Sequence, residues 1–413
     1  MIAEKDIRIA DFDYELPEEK IAFFPVSQRD QSKLLVYHNG QITDARFSDL
    51  PDFLTPDYRL IFNDSKVIHA RLLVHNATGA AIEIFCLEPL QPTTEIAKAF
   101  SQTGPVVWKC LVGNAKRWKQ PLSFPVDFED KSLMITATKG ECKDGTFEVT
   151  FSWQDESITL SEWLEQYGKM PLPPYIKRAA EKDDEQRYQT VYARYDGSVA
   201  APTAGLHFSD KVIKALNDKG IPTDYVTLHV GVGTFKPVSC ECIGDHYMHR
   251  EQIVISKAFI DSLIDDRRKV VAVGTTVART LESLYLIGAK LKLNRPTPFE
   301  VEQWEAYEDA ELTKVDTIVA LREIQQYMEL HGLSTLYAAT RLMIVPGYQR
   351  KITQAIITNF HQPKSTLLLL ISSFLGDKWK NVYAHALSRG YRFLSFGDSN
   401  LYFDVAPLSL RKC

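Results

Sequence analysis

Apolar and polar residues alternate in short runs between residues 72 and 153. Residues 81–86, 133–137 and 147–151 show this alternation, and turn residues such as Asp144-Gly145 separate the runs. Because neighbouring side chains of a strand point to opposite faces, the pattern predicts strands with one buried face. Between residues 72 and 153 we therefore predict a small antiparallel barrel or sandwich.

Outside this region the pattern changes to that of a mixed α/β protein. Residues 270–273 form a continuous apolar run, which is typical of a strand buried on both faces. The run leads through Gly274-Thr275-Thr276 into a predicted helix with one apolar face, which we expect Gly288 to end. Residues 355–358, followed by Ser365-Thr366-Leu367, repeat this order of strand, loop and helix.

Both loops are candidate binding sites, because the amide N–H groups in the first turn of a helix bind anions and polar groups readily. Ordinary helix capping by Thr276 and Ser365 is the alternative.

These patterns predict two domains. Residues 1–71 and 154–413 form one mixed α/β domain that is discontinuous in sequence, and residues 72–153 form the small β domain inserted into it. Residues 296–340 carry nine Asp and Glu against two Lys and Arg. The apolar residues of this segment follow helical spacing from Ile318 to Met328, and Gly332 is a plausible stop. We expect an acidic helical addition that packs or binds a partner.

The composition is that of an ordinary globular protein. The 413 residues are 45% hydrophobic and 24% charged. The first residues contain no apolar stretch of signal-peptide length, and the longest apolar run, residues 367–371, is too short to span a bilayer. We therefore expect a monomer that is located in the cytoplasm and does not contact a membrane.

The cysteines do not indicate a metal site. Six are present, without any Cys-x-x-Cys pair, and the single spacer in Cys240-Glu241-Cys242 fits neither zinc nor iron–sulfur spacing.

The net charge of −5 is distributed unevenly. Residues 341–413 carry ten Lys and Arg against three Asp and Glu, whereas residues 296–340 are acidic. The C-terminal segment would offer RNA phosphates a basic face. Two solvated surfaces of opposite sign are the alternative.

Four of the ten histidines lie between residues 199 and 251, among Gly, Thr and Pro. They are His207, His229, His246 and His249. Imidazole exchanges a proton near neutral pH, so this stretch is where we expect chemistry.

Longer motifs occur in a fixed order along the chain. They are Tyr14-Glu15-Leu16-Pro17, Arg29-Asp30 with Ser32, residues 62–72, Met170-Pro171-Leu172-Pro173-Pro174-Tyr175-Ile176, residues 187–193, residues 199–208, residues 227–238, Val273-Gly274-Thr275-Thr276 with Arg279 and Leu281-Glu282-Ser283, residues 358–366, and Gly390-Tyr391-Arg392-Phe393 with Phe396-Gly397-Asp398. This series covers most of the chain and resembles the S-adenosylmethionine:tRNA ribosyltransferase-isomerases of queuosine biosynthesis.

The resemblance implies a fold and a reaction. The fold is a mixed α/β domain with a small inserted antiparallel β-barrel. In the reaction, the ribosyl part of S-adenosylmethionine moves onto 7-aminomethyl-7-deazaguanine at the wobble position of tRNA and rearranges to epoxyqueuosine. Adenine and methionine leave. S-adenosylmethionine is consumed as a substrate, and no metal or redox cofactor is required.

This chemistry needs a base for the proton beside the sulfonium, an acid for adenine, and donors for a developing alkoxide. The candidate acid and base residues are His207, His229, His249 and Glu251. The candidate substrate-binding residues are Thr203, Gly205, Gly231, Gly233, Thr234, Gly274, Thr275, Thr276, Arg279, Asn359, His361, Lys364 and Asp398.

Some of these candidates have structural alternatives. Arg279 and Glu282 lie three apart on one helix face, so we expect them to pair with each other, and ligand contact is the alternative. Asp398 accepts from a substrate amine or shapes a turn.

The chain departs from the family pattern in a few places. Lys66 and His69 stand where the family usually has Arg and Pro, Gln362 replaces a usual Leu, and Arg341 replaces a common acidic residue. Together with the acidic addition, these changes suggest two alternatives, namely a relative that uses a different acceptor and a non-catalytic tRNA-binding relative.

Overall fold

The computed structural model describes residues 3–231 and 238–403. Its strands are β1 (Lys33–His38), β2 (Gln41–Arg46), β3 (Tyr58–Asn63), β4 (Ser65–Val67), β5 (Arg71–His75), β6 (Ala81–Gln91), β7 (Val106–Gly113), β8 (Leu122–Asp127), β9 (Ser132–Lys143), β10 (Thr146–Ser152), β11 (Tyr195–Ser198), β12 (Thr223–His229), β13 (Glu251–Ser256), β14 (Lys269–Val273), β15 (Glu300–Val301), β16 (Thr335–Thr340), β17 (Thr353–Asn359) and β18 (Ser399–Phe403). Its α-helices are α1 (Ile96–Phe100), α2 (Leu160–Tyr167), α3 (Asp184–Arg187), α4 (Asp210–Asp218), α5 (Lys257–Asp265), α6 (Thr275–Lys292), α7 (Glu305–Glu308), α8 (Thr317–Leu330), α9 (Thr366–Leu375) and α10 (Trp379–Ser388).

A mixed sheet of ten strands runs through the larger part of the molecule. Its order is β15-β16-β13-β12-β3-β14-β17-β18-β1-β2. The four central neighbours β12, β3, β14 and β17 are parallel, so their carboxyl ends meet at one edge of the sheet. Ligands of α/β sheets bind outside the carboxyl ends of such strands.

Both faces of this sheet are covered, which explains the continuous apolar runs in its central strands. In β14, Val270 and Ala272 pack in the core formed with α5, α6, α8 and α9. Val271 and Val273 point the other way and pack in the core that includes α4.

The second sheet is antiparallel and has six strands in the order β5-β6-β7-β10-β9-β8. The predicted alternation holds in it, because Ile82, Ile84 and Cys86 of β6 all point into a separate apolar core. Its two edge strands, β5 and β8, come close to each other, so the sheet is a nearly closed barrel. The predicted fold class, a mixed α/β domain with a small antiparallel barrel, is confirmed, whereas the division into domains stays a prediction.

The segment 296–340 is only partly helical. Helix α8 has the predicted buried face, formed by Leu321, Ile324 and Met328. The prediction of an acidic helical addition did not include β16, which pairs with β13 along its full length and extends the large sheet. The segment therefore contributes a strand to the main sheet as well as residues to the surface.

None of the helices among the described residues is both long and apolar enough to cross a bilayer.

Helix α6 continues past Gly288, which we had expected to end it, and runs to Lys292. A side chain at Gly288 would collide with the backbone carbonyl of Ala320 in α8. The glycine therefore permits two helices to approach closely, and its role is packing rather than termination.

We expect Gly288→Ala to lower the free energy of unfolding by about 1–3 kcal/mol, although Ala is the better helix former by about 1 kcal/mol. The helices have to move apart to admit the methyl group. Urea denaturation measures the change, and Gly104→Ala is the control. Gly104 has open space around it, so that replacement should change stability by less than about 0.5 kcal/mol. Equal stability of the two variants would contradict the packing role.

Candidate functional site

A cleft lies at the carboxyl ends of the parallel neighbours β14 and β17. Six of the predicted substrate-binding residues line it: Thr203, Gly274, Thr275, Thr276, Asn359 and His361. The prediction missed other residues of the lining, among them Tyr175 and Ser395. Tyr175 lies in one of the motifs, but its position beside β17 depends on chain folding that no local pattern indicates.

The walls of the cleft are uncharged. Apolar groups such as Ala200, Val230 and Phe360 alternate with hydroxyl, amide and imidazole side chains. Among the described residues that line the cleft, none is Asp, Glu, Lys or Arg. Such walls favour a ligand group that is neutral and hydrogen-bonded over one that brings an unpaired charge.

The two loops at this edge begin their helices differently. Gly274 has a φ of +100° and precedes α6, and no side chain caps the first turn of that helix. Capping by Thr276, the alternative considered above, does not occur. Ser365 does cap α9, because its hydroxyl accepts from the amide of Leu368 at 3.2 Å. The uncapped amides of α6 thus remain as donors at the cleft.

Asn359 and His207 form a buried pair beside the cleft. The amide nitrogen of Asn359 lies 3.1 Å from Nε2 of His207, and Nδ1 of His207 lies 2.8 Å from the hydroxyl of Ser32. Burial, assisted by the nearby Arg392 and Arg29, lowers the pKa of His207 to about 3. His207 is therefore neutral at pH 7, with both ring nitrogens hydrogen-bonded within the protein, an arrangement that favours positioning over acid or base work.

His361 is buried and lines the cleft. Its Nε2 lies 2.8 Å from the hydroxyl of Thr358, and burial lowers its pKa to about 3. The backbone amide of His361 donates to the Tyr383 hydroxyl at 3.1 Å. The imidazole is therefore neutral and held in place.

Glu251 and Arg279 form a buried ion pair. The distance between Glu251 Oε2 and Arg279 Nη1 is 2.6 Å, and the two side chains are 5% and 6% exposed. The predicted pairing of Arg279 with Glu282 was therefore wrong. Glu282 instead accepts the backbone amides of Lys351 at 2.8 Å and Thr353 at 3.0 Å, because its side chain points to the loop before β17.

The other two predicted histidines lie in different surroundings. His229 ends β12 and is buried, and burial lowers its pKa to about 4. A side chain at Gly197 would collide with its imidazole, so the ring packs on that glycine rather than in the cleft. His249 is exposed just before β13.

The predicted glycines also lie in different surroundings. A side chain at Gly205 would collide with the Tyr192 hydroxyl, so this position requires glycine for packing. A Cβ at Gly231 would meet no atom of the described residues within 4 Å. The predicted residues Gly233 and Thr234 lie outside the described residues.

Lys364 and Asp398 contact other parts of the protein. Lys364 Nζ lies 2.7 Å from Asp13. The two carboxylate oxygens of Asp398 accept the backbone amides of Lys33 at 2.9 Å and Arg392 at 2.8 Å. Asp398 therefore shapes a turn, which was the alternative to contact with a substrate amine.

Four basic residues of the C-terminal segment contact other parts of the protein. Lys364 pairs with Asp13, and the side chains of Arg350 and Lys351 donate to the backbone oxygens of Ser373 and Thr313. Arg341 pairs with Glu302 of the acidic segment. The expectation that RNA binds largely at residues 341–413 stays a prediction.

Comparison with known proteins gives one consistent result. The family model described as "Queuosine biosynthesis protein" matches residues 9–402. An S-adenosylmethionine:tRNA ribosyltransferase-isomerase of Azoarcus sp. (strain BH72) is 37% identical over 399 residues, which are 96% of this chain and 97% of the relative. A protein of the same name from Thermotoga petrophila is 38% identical over 401 residues, 96% of this chain and 99% of the relative.

A solved structure is also similar. It is an S-adenosylmethionine tRNA ribosyltransferase from Thermotoga maritima, 28% identical, with a TM-score of 0.45, and the match covers 95% of this chain and 99% of that one.

Proposed function

The chain belongs to the family of S-adenosylmethionine:tRNA ribosyltransferase-isomerases of queuosine biosynthesis, and we propose that it performs the ribosyl transfer of that family. The donor is S-adenosylmethionine. The acceptor is the aminomethyl nitrogen of 7-aminomethyl-7-deazaguanine at the wobble position of tRNAs with queuosine-type anticodons. The product is epoxyqueuosine in tRNA, and adenine and methionine are released.

One observation carries the proposal beyond the family name. Six predicted substrate-binding residues, from three separate motifs, line one cleft at the carboxyl ends of β14 and β17. Three of them, Gly274, Thr275 and Thr276, precede or begin the uncapped helix α6. A cleft of this kind, at the carboxyl edge of parallel strands and with amide donors at a helix start, suits a nucleoside substrate.

The bond changes define what the protein has to supply. A base takes the proton from the carbon beside the sulfonium. Adenine leaves with the electrons of its glycosidic bond, and the aminomethyl nitrogen loses a proton and forms a C–N bond at the carbon that adenine left. The electron pair of the deprotonated carbon forms a C–C bond to that same carbon as the ring C–O bond breaks to give an alkoxide. The alkoxide closes the epoxide on the carbon that bears the sulfur, and methionine leaves with the electrons of the C–S bond. An imidazole can accept a proton, so His229 and His249 remain candidates for the base.

Among the changed family positions, Gln362 lines the cleft, whereas Lys66, His69 and Arg341 are not among its lining residues. Lys66 lies 3.2 Å from the carboxylate of Glu165 and 3.4 Å from that of Asp196. His69 Nδ1 lies 2.9 Å from the backbone oxygen of Glu165. Lys66 and His69 therefore contact α2 and β11, so these two substitutions do not by themselves indicate a different acceptor.

We further propose that the protein consumes S-adenosylmethionine without a metal or redox cofactor, and that it acts as a monomer in the cytoplasm. Unchanged turnover after treatment with EDTA, and the mass of a monomer in solution, are the expected results.

The reaction is tested with the purified protein, S-adenosylmethionine and tRNA that carries the aminomethyl-deazaguanine. We expect adenine and methionine to appear in equal amounts, and only with this tRNA. The control is the same tRNA with guanine at the wobble position, which should release neither product. Methyl transfer to RNA, or no turnover of the modified tRNA, would overturn the assignment.

A further inference from the structure

Asn359 lines the cleft and contains a buried hydrogen-bond acceptor that lacks a donor among the described residues. Its side chain is 2% exposed, and the residue lines the cleft at the end of β17. Within residues 3–231 and 238–403, no protein donor meets its Oδ1. A buried amide oxygen without a donor costs free energy, so such groups point to a missing partner.

The orientation of this amide is fixed by its neighbours. One terminal atom of Asn359 lies 3.2 Å from the carbonyl oxygen of Leu394, which accepts but cannot donate. That atom is therefore the nitrogen, and its second hydrogen is donated to Nε2 of His207 at 3.1 Å. The other terminal atom has to be the oxygen.

His207 completes this arrangement. Because its Nε2 accepts, its proton lies on Nδ1 and is donated to the hydroxyl of Ser32 at 2.8 Å. The Ser32 hydroxyl then donates to the backbone oxygen of Arg29 at 3.2 Å. Each hydrogen bond in this series, from Asn359 through His207 to Ser32, thus has one defined donor and one defined acceptor. His207 therefore acts as a positioning residue that keeps the Asn359 oxygen available as an acceptor.

The cleft also contains donors. The first turn of α6, an 18-residue helix, has no side-chain cap, and Thr275 and Thr276 at its start line the same cleft as Asn359. The site thus combines one fixed acceptor with backbone donors between uncharged walls. A neutral heteroaromatic ring that has an amino group beside a ring nitrogen matches this combination.

We infer that this cleft holds the adenine of S-adenosylmethionine, with the exocyclic 6-amino group donating to Oδ1 of Asn359 and the adjacent ring nitrogen N1 accepting from the start of α6. This assignment rests on the proposed function and adds to it the residue that selects adenine. The methionine part fits the site less well, because its ammonium, carboxylate and sulfonium would face walls without an ionised side chain among the described lining residues.

The test compares S-adenosylmethionine with S-inosylmethionine, which has an oxygen in place of the 6-amino group and a hydrogen on the adjacent ring nitrogen. Both hydrogen bonds are then mismatched. With the modified tRNA as acceptor, kcat/KM for S-adenosylmethionine should exceed that for S-inosylmethionine by at least about tenfold. This comparison needs no variant and is independent of any effect on folding.

Equilibrium binding of S-adenosylhomocysteine and S-inosylhomocysteine extends the test to variants. In Asn359→Ala the preference for the adenosyl compound should fall to less than about threefold, because the acceptor is gone. A smaller loss is expected in His207→Leu, because the carbonyl oxygen of Leu394 alone then holds the amide nitrogen. Asn400→Ala is the matched control. Asn400 is equally buried, its amide donates to Thr358, and its Oδ1 likewise lacks a donor among the described residues, but it does not line the cleft, so the preference should remain.

The outcomes distinguish a failure of the proposed function from a failure of the adenine assignment. No turnover of S-adenosylmethionine by the unaltered protein would contradict the proposed function itself. Normal turnover with equal use of S-inosylmethionine would leave the function intact and overturn the adenine assignment. Asn359→Ala that weakens both nucleosides equally would also overturn it, since the amide would then contact a part that the two compounds share.

Discussion

Replacing Arg279 by Met is expected to lower the free energy of unfolding by about 3–5 kcal/mol, because a buried carboxylate loses its cation. The Glu251 carboxylate lies 2.6 Å from the Arg279 guanidinium, and both side chains are about 5% exposed. Met fills most of the volume of the apolar part of Arg279. The loss of stability therefore measures the unpaired charge of Glu251 and not the effect of a cavity. Urea denaturation at pH 7 measures it.

Two further variants interpret this result. Arg322 is exposed on α8, so Arg322→Met should change stability by less than about 0.5 kcal/mol. The double replacement Glu251→Leu with Arg279→Met should recover most of the lost stability, because no charge remains buried. A loss of less than about 1 kcal/mol in Arg279→Met would show that water or substrate space reaches the pair, which would favour the predicted roles of both residues in the reaction.

The folded protein should lose stability steeply between pH 6.5 and about pH 4. Burial lowers the pKa of His207 to about 3, of His229 to about 4 and of His361 to about 3, all from 6.5. The unfolded chain binds these protons first as the pH falls, so the stability that is fully present above pH 6.5 is lost on acidification. Near pH 5 the slope should be roughly 3–4 kcal/mol per pH unit.

Single replacements show how much each histidine contributes to this change of stability with pH. His229→Gln should remove about one third of it, because one of the three protons is then no longer bound on unfolding. His75 is exposed in the folded chain, so His75→Gln should leave the slope unchanged. Denaturation curves from pH 7 to pH 4.5 measure it, and a slope below about 1 kcal/mol per pH unit would show that the three imidazoles are hydrated in the folded protein.

Much of the fold follows from local patterns. The alternation in β6, β9 and β10 predicted a barrel because each of these strands has one face in a single apolar core. The run in β14 predicted a buried strand because helices cover both faces of the large sheet. The strand β16 was missed, since its pairing with β13 joins positions about eighty residues apart and no local signal reports it.

The sequence was sufficient to predict which residues lie at the site, but not what each of them contacts there. The motifs contain Gly274, Thr276 and Asn359, which the fold brings to one cleft. Spacing suggested that Arg279 pairs with Glu282, whereas the partner is Glu251, on a strand that only the tertiary fold places beside α6. Likewise, nothing in the sequence shows that both ring nitrogens of His207 are engaged.

The central claim is the transfer of the ribosyl carbons from S-adenosylmethionine to tRNA. It is tested most directly with S-adenosylmethionine that carries ¹³C in all five ribose carbons, incubated with the modified tRNA, followed by nucleoside mass analysis. The account predicts a modified nucleoside that contains all five labelled carbons, and unlabelled adenine and methionine in solution. A nucleoside that gains only the methyl group, or label that stays with adenine, would contradict it.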